Sequence, residues 1–491
     1  MGLSAWKQYR SSRWALRVNP SSGNLHPTEA YLIRDGRVFH YAPLEHALEE
    51  RAVLRQEAWA AFARSSPGFL VGLTSIHWRE AWKYGERAFR YCQHDAGHAI
   101  AALRFAAALL GWRLALLPHW SDDGIATVFG VDRAADFAGA EPEEPECVAA
   151  VTPDALQPWL DADPASLAGS ARAAEWKGQA NALSAARVEW PIIDQVAAVT
   201  RRVRVAGASA SAESAPRSIP AKASPAGLAP RSDNPDDVRA RDIILQRRSA
   251  VAFDARSSLP RRTFMSMLAR TAGGAVPPWD AIDWRPHVHL LIFVHRVEGL
   301  TPGVYAYLRD AAVLPEWRTA MRPEFLWERM NDSNDPNDSN DSNDPNDSND
   351  SNDSNDSNDS NDSNDSNGLY LLLPFDVKWV ANRVSCDQDI AADGFFSLGM
   401  IARLESSLRE RGEWFYRRLF WETGMLGQVL YLEAEAAGAR ATGIGCFYDD
   451  PVHEAAGLKG AEWQSLYHFS MGVPVDDDRL TTEPGYEWEK T

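Results

Sequence analysis

The stretch "RYCQHDAGHAIAALRFAAALLGWRLALLPHWSDDGIATVFG" (residues 90–130) is echoed later in the chain by "RRLFWETGMLGQVLYLEAEAAGARATGIGCFYDDPVHEAAG" (residues 417–457). The two stretches align without a gap at a constant separation of 417 − 90 = 327 residues. The matched pairs are Arg90 and Arg417, Gly97 and Gly424, Gly111 and Gly438, Asp122–Asp123 and Asp449–Asp450, and Gly130 and Gly457. An internal repeat of this length indicates a tandem duplication.

Each copy predicts a long helix ended by a glycine, then a strand, then a turn into a short helix. Gly97 and Gly424 fall inside the predicted long helices, where glycine costs about 1 kcal/mol relative to alanine. We therefore expect these two positions to allow another helix to approach closely. The prediction is an α/β fold of the α+β type, in which two similar halves pack as a pseudo-dimer around the long helices.

Composition favours a packed globular protein without a nucleic-acid or anionic-membrane partner. The chain has 491 residues, 45% hydrophobic residues and a formal net charge of −18. Residues 331–367 contribute 12 Asp and no base, so the rest carries −18 + 12 = −6. There is no signal-peptide pattern and no apolar run long enough for a bilayer. The four cysteines lack metal spacing and read as free thiols, so we expect a soluble cytoplasmic protein.

Two segments interrupt the globular pattern and suggest the domain boundaries. Residues 207–237 are rich in Ala, Ser and Pro and predict a linker between a first domain (1–206) and a second (238–491). Residues 331–367 repeat an Asn-Asp-Ser or Asn-Asp-Pro triplet, and predict a disordered insert in a surface loop. The insert lacks the Gly and terminal Glu of a calcium loop, which disfavours calcium binding.

Two short motifs carry candidate chemistry. "NPSSGNLHPTEAYLI" (Asn19–Ile33) predicts a turn of small and hydrogen-bonding residues that leads into a strand. "RRSAVAFD" (247–254) places two guanidinium groups beside the hydroxyl of Ser249, a set that suits a phosphate. An arginine pair at the end of a helix is also commonly just solvated, so this second motif is weak by itself.

Together with "ATGIGCFYDD" (441–450), these motifs resemble the FMN-dependent nitroreductase family. In that family an R-x-S-x-x-x-F segment grips the FMN phosphate and ribityl chain, and a P-S-S-G-N-x-x-P segment reaches the flavin from the partner subunit. "PSSGNLHPTEAYLI" with "KYGERAFRYCQHDAGH" (83–98) is most similar to the SagB/ThcOx-type dehydrogenases, which oxidise azolines in ribosomal peptides. The resemblance therefore implies FMN as cofactor and hydride transfer at the flavin.

The motifs are divided between the two halves. The first half has the Pro-Ser turn without an R-x-S segment ahead of it, whereas the second has Arg247–Ser249 without a Pro-Ser turn before its strand. We therefore expect one complete FMN site per chain. The FMN contacts implied by the resemblance are Arg247, Arg248 and Ser249, with Pro20, Ser21, Ser22 and Asn24 from the first half, backbone contacts at Gly445 and Cys446, and, more loosely, Arg479.

The resemblance also implies a catalytic pair, Lys83 and Tyr84, thought in azoline dehydrogenases to assist deprotonation of the azoline. The alternative for the pair is a solvated lysine and a packing tyrosine. Val251 stands where some nitroreductases have a lysine beside the flavin. His26 and His98 read as ordinary hydrogen-bonding histidines.

Three functions remain open from the sequence. The leading one is an azoline-dehydrogenase-like enzyme that acts on a small-molecule or modified-peptide substrate. The second is an NAD(P)H-dependent nitro or quinone reductase. The third is a non-catalytic flavin-binding scaffold of a peptide-modifying complex.

Overall fold

The structure is a computed structural model that describes residues 1–203, 239–330 and 368–490. The predicted linker (207–237) and the predicted insert (331–367) lie outside the described residues. In the described part of the chain, no helix is both long and apolar enough to cross a membrane.

A six-stranded antiparallel sheet forms the core of the first half, and a hairpin precedes it. The hairpin strands are β1 (Leu3–Tyr9) and β2 (Ser12–Arg17). The strands of the sheet are β3 (Thr28–Arg34), β4 (Arg37–Ala42), β5 (Ala47–Val53), β6 (Phe69–Ser75), β7 (Arg113–Leu116) and β8 (Glu144–Thr152). Their spatial order is β7-β8-β6-β3-β4-β5.

A seven-stranded antiparallel sheet forms the core of the second half. Its strands are β9 (Val288–Val294), β10 (Gly303–Leu308), β11 (Glu328–Arg329), β12 (Gly368–Pro374), β13 (Phe396–Arg403), β14 (Arg440–Ile444) and β15 (Trp463–Gly472). The order β14-β15-β13-β9-β10-β12-β11 repeats that of the first sheet and adds β11 at the edge. Two sheets with the same strand order confirm the duplicated fold.

The N-terminal hairpin pairs with the end of the chain. Strand β16 (Thr481–Pro484) lies antiparallel to β1, with Ala5 opposite Pro484 and Gln8 opposite Thr481. The hairpin is thus joined by backbone pairing to the C-terminal strand and forms no part of the first sheet.

The helices flank the sheets. Those of the first half are α1 (Gln56–Ala63), α2 (Trp78–Tyr84), α3 (Ala88–Leu109), α4 (Asp122–Phe129), α5 (Gln157–Leu160), α6 (Ala165–Ala173) and α7 (Pro191–Val199). Those of the second are α8 (Ala240–Gln246), α9 (Arg261–Thr271), α10 (Leu314–Ala320), α11 (Lys378–Val384), α12 (Ile390–Asp393), α13 (Glu405–Arg411), α14 (Phe415–Ala436) and α15 (Asp449–Ala456).

The repeat found in the sequence has the predicted secondary structure in both copies. Helices α3 and α14 begin and end at matching positions, as do α4 and α15. Gly111 and Gly438, just after the long helices, have φ of 72° and 69°, in the left-handed region that glycine adopts without strain.

Helices α3 and α14 pack against each other at their two internal glycines. A Cβ built on Gly97 would lie 2.2 Å from the Trp421 carbonyl oxygen, and one built on Gly424 would lie 2.2 Å from the His94 carbonyl oxygen. Neither position has room for a side chain, which explains the glycines. The largest hydrophobic core continues across this contact from Ile100 in α3 to Leu426 in α14. The halves therefore form a pseudo-dimer within one chain.

Candidate active site

The Pro-Ser turn lies at the boundary between the two halves. Gly23 and Asn24 both have φ of 60°, so the turn uses the backbone shape that its small residues predict. Asn24 Nδ2 donates to the Ala15 carbonyl at 2.8 Å, and Asn24 Oδ1 lies 2.9 Å from His26 Nε2. The Ser21 hydroxyl accepts from the His26 N–H at 2.8 Å, while Pro20 is buried below. These bonds fix the turn rigidly ahead of β3.

Two buried carboxyl groups support the turn from beneath. Asp95 of α3 accepts a hydrogen bond from the Ser22 N–H, and the Ser21 hydroxyl contacts both Asp95 and Glu80 of α2. Asp95 Oδ2 and both Glu80 oxygens have no geometrically good hydrogen-bond partner within the described residues. Burial raises the pKa of both carboxyls, and repulsion from Asp95 raises that of Glu80 further. Both carboxyls are therefore easier to protonate in the folded protein than in water.

No sequence motif predicted a role for Asp95, although the internal repeat places an acidic residue at the same position in both copies. The matched residue in the second half is Glu422, which accepts from the N–H groups of His287 and Val288, each at 3.1 Å. In both halves, a carboxyl on the long interface helix thus fixes the segment that enters an inner strand. An acid at the same position of both copies was the available clue.

Arg247 joins the second half to the Pro-Ser turn. Its Nε donates to the Val18 carbonyl at 2.8 Å and its Nη2 donates to the Arg17 carbonyl at 3.1 Å, immediately before the turn. The guanidinium is 4% exposed and lies over the ring of Tyr431, and in the described part of the chain Nη1 has no hydrogen-bond partner. The structure thus brings together the two motifs that the sequence predicts to meet.

Arg248 and Ser249 lie beside Arg247 with their own partners. Arg248 Nη1 donates to the Leu245 carbonyl at 2.7 Å and to Ser4 Oγ at 3.3 Å. Ser249 Oγ lies 2.8 Å from the hydroxyl of Tyr431, which also accepts from the Gly443 N–H at 2.8 Å. Tyr431 links the Arg-Arg-Ser segment to β14, a role that the sequence did not indicate.

Positive charge is concentrated around Arg247. Arg248 and Arg440 are near it, and Glu435 is the carboxyl that all three approach. Burial and the neighbouring guanidinium lower the pKa of Arg248 to about 10, and burial lowers that of Arg247. A buried cationic group with an unused donor is stabilised by an anion. The donor set therefore fits a phosphate.

Lys83 and Tyr84 lie against the same turn. A Cβ built on Gly23 would lie 2.6 Å from the Tyr84 hydroxyl oxygen and 2.9 Å from Lys83 Nζ. Lys83 is exposed, and its ammonium lies 5.1 Å from the centre of the Tyr84 ring. The Tyr84 ring in turn meets Tyr91 edge-on, with centroids 4.7 Å apart. The predicted pair thus borders the predicted cofactor contacts.

Gly445 and Cys446 form the opposite wall. A Cβ on Gly445 would lie 2.3 Å from the Tyr91 ring, so only glycine allows this approach. Arg87 Nη1 holds the Gly445 carbonyl at 2.8 Å, and the Cys446 side chain is exposed. Tyr91 connects this strand end to Tyr84 and so to the Pro-Ser turn.

Arg479 is not brought to the site. Its Nε and Nη2 each donate to the Asp477 carboxylate at 2.7 Å on an exposed segment, and its guanidinium lies over Tyr9. Its donors are therefore already engaged away from Arg247. Val251 is 81% exposed and supplies no charge. His98 is buried in the interface with its Nε2 3.4 Å from Tyr467 Oη, as expected of an ordinary histidine.

The equivalent position in the other half is filled by side chains. At the repeat separation of 327 residues (417 − 90), Trp414 matches Arg87 and Arg418 matches Tyr91. Arg417 donates to Asp122, Thr200 and the carbonyls of Pro145 and Ala197. About 20 Å³ of space is left there, enough for one water molecule. Among the described residues, the counterpart position is therefore occupied by side chains of the chain itself.

Two similar antiparallel α+β halves that meet at a buried cationic cluster define a fused pseudo-dimer. The profile of the Nitroreductase family matches the chain in two segments, residues 8–142 and 244–473, which together make up most of its length. The chain belongs to the nitroreductase family, and is an oxidoreductase of that superfamily. Members of this family bind flavin.

A crystal structure of a putative nitroreductase from Anabaena variabilis has the same fold, with a TM-score of 0.63 and 18% sequence identity. The match covers 96% of this chain and 86% of that one, so the similarity extends over both halves. At this identity the similarity shows the fold alone.

Two further solved structures match smaller parts of the chain. A putative nitroreductase from Exiguobacterium sibiricum, solved in complex with FMN, matches with 12% identity and a TM-score of 0.23 over 49% of this chain and 90% of that one. The E. coli microcin synthetase McbBCD complex matches with 21% identity and a TM-score of 0.24 over 29% of this chain and 56% of that one. No curated protein sequence matches the chain.

Proposed function

We propose that this protein is an FMN-dependent dehydrogenase of the SagB/ThcOx type, with one FMN between its halves and an azoline-containing peptide as its substrate. The observation that carries the proposal is the buried Arg247, whose unused Nη1 lies where the second half meets the Pro-Ser turn of the first. Family membership supplies the flavin chemistry, and the residues around Arg247 supply a fitting donor set.

In this proposal, the FMN phosphate is held by Arg247 and Arg248, with Ser249 beside them. Ser21, Ser22 and Asn24 contribute turn donors from the first half, and the buried Asp95 keeps the turn in place. When bound, FMN supplies a two-electron acceptor for hydride.

The other residues of the site handle the proton and the substrate. Lys83 and Tyr84 border the turn at its exposed side, where a substrate has access. Loss of hydride from an azoline carbon requires loss of a proton from its neighbour, and a lysine or tyrosine can accept it. Gly445 lets the Tyr91 ring pack against the strand end, where a side chain would collide with it.

The first experiment measures flavin content. The purified protein is denatured, and released FMN is quantified against polypeptide; we expect about one FMN per chain because the counterpart site is filled. A ratio near two would contradict the single site.

Two arginine variants sharpen this measurement. Arg247→Gln removes a charged donor worth about 1.5–3 kcal/mol, so FMN affinity should fall about ten- to a hundred-fold. Arg479→Gln is the matched control and should retain FMN, because its guanidinium is paired with Asp477. Equal FMN loss in both variants would refute the assignment of Arg247.

A second assay separates the enzyme classes. Oxidation of an azoline peptide with reduction of the bound FMN supports the dehydrogenase, whereas NAD(P)H oxidation with a nitro or quinone acceptor supports the reductase. FMN binding without either reaction would favour the scaffold.

A further inference from the structure

Cys386 and Cys446 lie in contact although they are 60 residues apart (446 − 386). Cys386 follows α11, and Cys446 follows β14 at the candidate site. The Cys446 side chain is close enough to perturb the Cys386 thiol. Cys386 is partly exposed and Cys446 is exposed, so dissolved reagents have access to the pair.

The segments that carry the two cysteines are fastened together by backbone and side-chain bonds. The Tyr448 N–H, two residues after Cys446, donates to the carbonyl of Val384, two residues before Cys386, at 3.0 Å. Gln388 Nε2 donates to the Cys446 carbonyl at 3.2 Å and to the Ser385 carbonyl at 2.8 Å. A disulfide requires Cα atoms within about 7 Å of each other, and these bonds hold the two cysteine-bearing segments side by side.

The backbone at Cys386 is in a shape that few residues adopt. Cys386 and Asp387 have φ of 58° and 55°, two successive non-glycine residues in the left-handed region. Such conformations persist only where the surroundings impose them, and they cluster at functional sites.

The other two cysteines provide a contrast. Cys92 and Cys147 are 0% and 6% exposed, and burial raises the pKa of both thiols. Buried thiols with raised pKa values are unreactive. In the repeat, the residue that matches Cys446 is His119, so the first half has no thiol at this position.

We propose that Cys386 and Cys446 form a reversible dithiol–disulfide couple that exchanges electrons with a low-molecular-weight thiol–disulfide pair such as glutathione. The pair is a modification site separate from hydride transfer, and its formation requires no flavin.

The exchange proceeds in two balanced steps. The Cys446 thiolate attacks one sulfur of oxidised glutathione, forms a mixed disulfide and releases one glutathione thiol. The Cys386 thiol then loses its proton, attacks the Cys446 sulfur and displaces the second glutathione. The protein loses two electrons and two protons, and one glutathione disulfide becomes two thiols.

The order of attack follows from the surroundings. Burial and the interaction with Cys446 raise the pKa of Cys386 to about 12, so the Cys386 thiol stays protonated at neutral pH. Cys446 is the exposed thiol and therefore meets the reagent first. Cys386 is the resolving thiol.

The test uses the full chain equilibrated in glutathione buffers of increasing oxidised fraction. Free thiols are then alkylated, and the digest is analysed by mass spectrometry. We expect a peptide cross-linked between Cys386 and Cys446 that disappears in reduced buffer. Cys92 and Cys147 should carry no glutathione and form no cross-link in any sample, because both thiols are buried in the folded protein.

Two variants test the assigned roles. Because a neighbouring thiol acts at an effective concentration in the millimolar range or above, Cys386→Ser should raise the Cys446–glutathione adduct about ten-fold over wild type. Cys446→Ser should leave Cys386 largely unmodified. A wild-type protein that accumulates the same adduct as Cys386→Ser, or that shows no cross-link at any buffer ratio, would overturn the proposal.

Because the readout is covalent, it is independent of FMN. A flavin-free preparation that still forms the cross-link would leave this inference standing while the proposed function failed.

Discussion

At the scale of single residues, Asp95 and Glu422 occupy matching positions and bind backbone N–H groups in the same way, but their charged neighbours differ. Both lie on the interface helices and hold the segment that enters an inner strand. Glu422 is ion-paired with the buried Arg309, which neutralises it. Asp95 instead adjoins the second buried carboxyl, Glu80. The Pro-Ser turn is therefore the segment with two neighbouring buried carboxyls beneath it, both with raised pKa values.

The acid pair leads to a prediction about pH. Burial raises the pKa of Glu80 in the folded protein above its value in the unfolded chain. The folded protein then binds more protons, so its free energy of unfolding falls as the pH rises from about 4 into the alkaline range. Glu80→Gln removes this penalty and should flatten the fall.

The measurement is urea unfolding of both proteins at several pH values. Glu86→Gln is the matched control, because Glu86 is an exposed residue of the same region, and it should follow wild type. A Glu80→Gln variant with the wild-type slope would contradict the prediction.

A second residue-scale prediction concerns Lys83 and Tyr84. Lys83→Ala and Tyr84→Phe should retain FMN while slowing azoline oxidation by about 10²–10⁴-fold, the usual loss on removal of a general acid or base. Stopped-flow reduction of bound FMN by an azoline peptide isolates the chemical step. If both variants reduce FMN at the wild-type rate, the pair serves packing alone.

At the scale of elements, the crossing of α3 and α14 depends on two glycines. In Gly97→Ala the new methyl group would meet the Trp421 carbonyl, which is main chain and cannot move aside. We expect a loss of about 1–3 kcal/mol or more in the free energy of unfolding, as for other overpacked sites.

Gly169→Ala is the control for the glycine prediction. Gly169 lies inside α6, and a Cβ built on it has no neighbour within 4 Å, so the variant should be neutral or gain up to about 1 kcal/mol. Denaturant unfolding followed by circular dichroism measures both. Equal stability of the two variants would show that α3 and α14 can move apart to accommodate a methyl group at Gly97.

At the scale of the whole molecule, the second half tolerates a long interruption between two neighbouring strands. The Met330 N–H donates to the Leu369 carbonyl at 2.9 Å, and Arg329 is paired with Tyr370. Met330 and Gly368, which flank residues 331–367, thus lie beside each other, although the connection between them is 37 residues long (367 − 331 + 1).

Replacement of residues 331–367 by a short Gly-Ser turn should leave folding and FMN content unchanged. Loop length enters the closure entropy only logarithmically, so a shorter connection between fixed ends costs nothing and gives a small gain. Thermal unfolding and released flavin are the measurements, with the full-length chain as the reference. Aggregation or loss of FMN would show that the insert has a structural role.

The sequence by itself determined the features that recur locally. The spacing of apolar residues and glycines in the repeat predicted helix, strand and short helix in each copy, and the structure confirms them. It also predicted the close approach at Gly97 and Gly424, because glycine inside a helix is unfavourable without such a reason. The division of the Arg-Arg-Ser segment and the Pro-Ser turn between the halves was readable as well.

Only the tertiary structure decided which distant groups meet. It pairs β1 with β16, places Arg247 on the carbonyls of Arg17 and Val18, and brings Cys386 to Cys446. It also engages Arg479 with Asp477, away from the site to which the sequence had loosely assigned it. The spacing of apolar residues shows which face of a single helix or strand is buried, whereas these contacts join segments tens to hundreds of residues apart. Their formation depends on how two whole halves pack, which no local pattern contains.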